Sequence, residues 1–99
     1  MNSGNFRQRI LEQHLRTGVK SLRELREDLR ITAEQMAFFL AEAEEIELRA
    51  MVAETADAAL AHHQAQRNLS AIQKHHEFLL SEIADHEARQ DVLLDKLEQ

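Results

Sequence analysis

Cysteine, proline, tryptophan and tyrosine are all absent from this 99-residue chain. Without cysteine there can be no disulfide and no thiolate metal site. Without proline, and with glycine only at Gly4 and Gly18, the chain lacks the punctuation that separates short strands. No apolar run approaches the roughly 18 residues a membrane span requires, and no apolar stretch of signal-peptide type opens the chain. The expectation is a soluble, cytoplasmic protein. There is also no glycine-rich phosphate loop, nucleophile elbow or metalloprotease signature. Catalysis, a cofactor and a small-molecule substrate are therefore not expected.

What remains is helix-forming. Apolar residues make up 43% of the chain, and many are alanine and leucine, which favour helices. The strongest pattern runs over residues 69–97. Leu69, Ile72, His76, Leu79, Ile83, His86, Gln90, Leu93 and Leu97 recur at alternating spacings of three and four. That is the stripe of a helix built to pack against other helices, and it is the expected oligomer seam. Leu80 and Leu94, and Phe78 and Val92, fall outside it. These extra apolar positions imply packing on more than one side, as in a helical hairpin that dimerises into a four-helix bundle.

Local signals divide the rest of the chain. Asn5 and Gln8 open a first helix, which Thr17 and Gly18 would end. Ser21 and Glu24 have capping-box spacing and open a second; Thr32 and Gln35 open a third. The third has no stop signal for about 35 residues. Its inner stripe is Met36, Phe39, Ala43, Ile46, Ala50 and Ala53, and eight of residues 41–61 are alanine, which suits close approach of two helices. The stripe then slips phase. Either the helix continues through a stutter, as Ala65 allows, or it turns. The capping box at Ser70 and Gln73, with Asn68 before it, favours a turn at residues 67–69. A fold-back there would pair residues whose numbers sum to about 137.

The predicted fold is therefore all-α: a three-helix head over 1–45, then a long antiparallel helical hairpin or coiled coil over 46–99. Charge is also divided along the chain, at about residue 30. Residues 1–30 carry seven Lys/Arg against four acids, a balance of +3, and the remainder carries five against fourteen, a balance of −9. A basic head on an acidic stalk suits an anionic partner at the head or head-to-stalk packing between protomers.

The core positions Leu22, Leu25, Leu29, Ile31, Thr32, Met36, Phe39 and Leu40 are similar in spacing to a helix-turn-helix, over roughly residues 5–45. That resemblance implies a third helix in the major groove. Phosphate contacts would fall to Arg7, Arg9, Lys20, Arg23, Arg26 and Arg30, and Gln35 would be the base-edge reader. This sequence departs from the family pattern. Arg26 stands where a small residue is usual, and Arg30 where glycine is. Glu34, Glu42 and Glu45 on the outer faces of the reading helix would repel phosphates. A helix-turn-helix head followed by an oligomerising helical pair also resembles the small terminase subunits of tailed phages, which recognise viral DNA and form rings without catalysis.

His62, His63, His75 and His76 would approach one another about a turn at 67–69. Adjacent histidines point about 100° apart on a helix, and the i, i+4 arrangement of bundle metal sites is missing, so no metal site is expected. His76, His86 and Gln90 instead suit polar layers that fix register. The function expected is a non-catalytic regulator or adaptor that oligomerises and docks on a macromolecular partner. Protein is the first choice of partner and DNA the alternative. An acidic inhibitor or structural assembly subunit is the further alternative.

Overall fold

The computed structural model describes residues 3–99. Two α-helices account for them: α1, Ser3–Ala53, and α2, Ala56–Glu98. The described residues contain no strand, and no helix among them is long and apolar enough to cross a membrane. By chain contacts they form two compact units. The first combines Met1–Asp28 with Leu79–Gln99, and the second is Leu29–Phe78. Residues 1–45 and 46–99, the expected division, each contribute to both units.

The three-helix head does not form, because α1 runs unbroken through both expected breaks. Each signal has another use. Gly18 has no positive φ and sits within the helix opposite Gln90. A Cβ there would overlap the Gln90 carboxamide, 2.5 Å from its Cδ. Glycine at this position permits a close approach and does not end the helix. Thr32 is only 4% exposed and takes a place in the packed stripe. Ser21, Glu24 and Gln35 lie inside α1. A capping residue ends a helix only where continuation has nothing to bury, and here continuation buries a seam.

The turn at residues 67–69 is likewise absent. Asn68 lies within α2, where its Oδ1 accepts a bond from Gln64 Nε2 at 3.0 Å, one helical turn away. The chain reverses at Glu54 and Thr55. Glu54 adopts a left-handed φ of 50°, and its N–H donates to the Ala50 carbonyl at 3.2 Å, a form of helix end normally built on glycine. Thr55 then caps α2: its Oγ1 accepts from the Ala58 N–H at 3.1 Å, and Asp57 complements the dipole in the first turn.

Within the second unit, α1 and α2 form an antiparallel hairpin. Ala43, Ala65 and Leu69 are its buried cluster, with Phe39, Ile46 and Ile72 packed on it. The least exposed positions continue the pattern: Leu29, Thr32, Met36, Phe39, Ala43, Ile46 and Ala50 on α1, and Ala58, His62, Ala65, Leu69, Ile72 and His76 on α2. Both series alternate spacings of four and three, the heptad period of a coiled coil. Residue numbers across this seam sum to about 108, as for Ala43 and Ala65, where a turn at 67–69 would have required about 137.

The first unit repeats the pattern with other side chains. Leu11, Leu15, Gly18, Leu22 and Leu25 of α1 alternate in the same way, as do Leu79, Ile83, His86, Gln90, Leu93 and Leu97 of α2. Leu11, Leu22, Leu79 and Ile83 are its buried apolar residues. Opposed pairs such as Gly18 and Gln90 again show antiparallel packing.

Candidate interaction surfaces

The nine residues expected to form an oligomer seam are all buried or half-buried on α2. Leu69 and Ile72 contact α1 of the same chain in the second unit. Gln90 does so in the first, where its Nε2 donates to the Leu15 carbonyl at 3.0 Å. A carbonyl has a second lone pair, so Leu15 can accept this bond while remaining in the helix. At these three positions the stripe packs within the chain.

Beside this crossing is an open groove of about 270 Å³, lined by His14, Thr17, Gly18, Ser21, His86, Arg89, Gln90 and Leu93. His86 Nδ1 lies 2.8 Å from the Glu82 carbonyl and 3.0 Å from Arg89 Nη2. One ring nitrogen cannot both donate to the carbonyl and accept from the guanidinium. The two contacts belong to different tautomers, and no acidic side chain lines the groove. A second recess in this unit brings Arg7, Gln8 and Leu11 beside Lys96 and Leu97.

The predicted contact residues, Arg7, Arg9, Lys20, Arg23, Arg26, Arg30 and Gln35, all lie on α1 and are all exposed. Arg26 Nη2 is 3.7 Å from Glu87 Oε2 across the first unit, and Arg30 Nη1 is 2.8 Å from Glu34 Oε1 in the second. Continuity of α1 creates an alignment that breaks at Gly18 and Thr32 would have dispersed. Arg9, Arg16 and Arg23 are seven residues apart, so they share one face at intervals of about 10 Å. Lys20 stands between the last two. No ion-pair partner for these four stands among the described residues. Arg16 was not among the expected contact residues. Its spacing is legible in the sequence, but it has meaning only on an unbroken helix.

The histidines do not converge. His62, His63, His75 and His76 all lie on α2, since the turn falls before them. His62 and His76 are half-buried in the seam and His63 and His75 are exposed.

The second unit presents aromatic surface. Phe38 is 66% exposed and packs edge-on against Phe39, with centroids 5.8 Å apart. Phe78 is 55% exposed and stacks with His75 at 6.3 Å. A groove of about 380 Å³ in this unit is lined by Phe39, Asn68, Ala71 and Ile72. No protein-family model, no curated protein and no solved structure matches this chain.

Proposed function

We propose that the protein is a non-catalytic helical adaptor that self-associates and docks on a negatively charged macromolecular partner. The observation that carries this is the row Arg9, Arg16, Lys20 and Arg23: exposed, aligned and without ion-pair partners among the described residues, in a chain of net charge −6. Four cations on one stripe of a straight helix repel one another unless an anionic surface meets them. Self-association would repeat the stripe and convert weak docking into avidity. An acidic protein surface is the partner this arrangement suits best, because a helix stripe matches another helix and needs no groove.

A DNA-binding reading, regulator or terminase-like packaging subunit, draws on the same side chains as phosphate contacts. It loses the helix-turn-helix geometry, since α1 has no turn before Gln35. The test is fluorescence anisotropy with labelled polyglutamate and with a labelled DNA duplex, at low and near-physiological salt. The expected result is salt-sensitive polyglutamate binding that falls at least about tenfold in Arg16→Ala/Arg23→Ala, given the strength of charge-steered contacts. Tighter DNA binding with a steep salt slope would favour the DNA reading. Binding of neither at low salt, where attraction is least screened, would overturn both.

A further inference from the structure

The groove of the first unit that His14 and Arg89 line lies apart from the cationic row. His14 and Ser21 are one heptad apart on α1, and each stands two residues before a member of the row, Arg16 or Arg23. Two residues turn a helix by about 200°. The groove and the row therefore occupy opposite sides of α1, and a ligand in one leaves the other free.

The direction of Arg89 is the first sign of a ligand. Asp85 precedes it by one turn, the spacing at which Glu45 pairs with Arg49; Arg30 and Glu34 pair at the same separation. Arg89 makes no such pair among the described residues. Its Nη2 lies instead 3.0 Å from His86 Nδ1. When that nitrogen carries a proton and donates to the Glu82 carbonyl at 2.8 Å, it has no lone pair for the guanidinium. A cation then lines the groove without an acceptor.

The opposite wall supplies further donors. His14, Thr17 and Ser21 line the groove from α1, and their side chains make no hydrogen bond among the described residues. Gln90 is already committed, through Nε2, to the Leu15 carbonyl. The carboxylates one turn away, Glu24 on α1 and Glu82 and Asp85 on α2, are not among the lining residues. The recess that holds Arg7 and Lys96 does include one, Glu98, so its charge is partly offset. At about 270 Å³, the groove falls just below the roughly 300 Å³ at which ordinary small-molecule sites begin. That suits a small anion and not a cofactor.

We propose that this groove binds a small phosphate-class anion, inorganic phosphate or a phosphate monoester, held by the Arg89 fork from α2 and by His14, Thr17 and Ser21 from α1. A carboxylate has two oxygens, which the fork alone engages. A tetrahedral phosphate keeps further oxygens for the second helix.

Isothermal titration calorimetry at low salt tests this with inorganic phosphate, glycerol phosphate and acetate, and amide chemical shifts locate the site. Phosphate or glycerol phosphate is expected to bind, the tighter of the two naming the source, with shifts centred on residues 14–21 and 86–93. Arg89→Ala is expected to weaken binding at least about tenfold, the usual worth of a hydrogen bond to a charged group. Thr17→Ala/Ser21→Ala is expected to do the same, which keeps the test decisive if one variant misfolds. Arg16→Ala/Arg23→Ala should leave anion binding unchanged while abolishing polyglutamate capture, so the two readings can fail separately. No binding at about 10 mM of either phosphate, equal binding of acetate, or an equal loss in Arg16→Ala/Arg23→Ala would overturn the proposal.

Discussion

In the first unit the seam is filled by large aliphatic residues, Leu11, Leu22, Leu79 and Ile83, and a glutamine amide crosses it to a main-chain carbonyl. In the second the buried cluster is two alanines and a leucine, edged by Phe39, Ile46 and Ile72. The heptad period is common to both, but the side chains divide the work differently. Large aliphatics supply burial in one unit, and the polar crossing fixes which residues face each other there. In the other, small residues let the helices approach closely, and ring surface remains outside the seam. The unit with the filled seam presents cations that have no ion-pair partner among the described residues. The unit with the small-residue seam presents aromatics. Burial within the chain and surface available to partners are thus distributed separately.

The largest effect expected from breaking this comparison is at Leu79, 2% exposed in the first unit. Leu79→Ala should destabilise the protein by about 3 kcal/mol through lost transfer energy and a cavity, measured by urea unfolding at matched protein concentration. A cost under about 1 kcal/mol would mean the site collapses freely and is not a true core position. In the second unit the informative change is the opposite one. Ala43→Leu should cost about 1–3 kcal/mol by forcing apart helices that Ala43 and Ala65 hold close. A stabilised variant would show that the small-residue seam has spare room.

The Gly18–Gln90 contact sharpens the contrast through a double-mutant cycle. Gly18→Ala gains about 1 kcal/mol of helix propensity but displaces the Gln90 amide and loses a bond worth about as much, so the net change should lie near zero. In a Gln90→Ala background the same substitution should stabilise by about 1 kcal/mol. Equal effects in both backgrounds would mean that the amide is not held against Gly18. At the turn, Thr55→Ala should cost about 1 kcal/mol by removing the cap on Ala58, read as a lower thermal midpoint. The smallest effect is expected at the Arg26–Glu87 pair, whose side chains are both more than half exposed. Arg26→Ala should change stability by less than about 0.5 kcal/mol, and a larger loss would imply that the arginine stem also packs.

The sequence alone determined the class of fold and one face of one helix. Absence of proline, scarcity of glycine and a three-four repeat left no alternative to packed helices, and the stripe from Leu69 to Leu97 is the buried stripe of α2. Phe78, Leu80, Val92 and Leu94, which fall outside that repeat and were expected to pack on a further side, are exposed in the chain. Only the tertiary structure decided where helices end. Capping signals at Ser21, Thr32 and Ser70 are local preferences worth about 1 kcal/mol each. They are outweighed where continuing the helix adds turn after turn to a buried seam. The reversal at Glu54 and Thr55 carries a weaker local signal, with a glutamate in a left-handed conformation that costs about 1–2 kcal/mol. It prevails because it lets the α1 stripe, which reaches Ala50, face the α2 stripe, which resumes at Ala58. The same choice aligned the arginines and placed Gly18 against Gln90, since both depend on an unbroken α1. Local chemistry names the possible stops; burial along the whole helix selects among them.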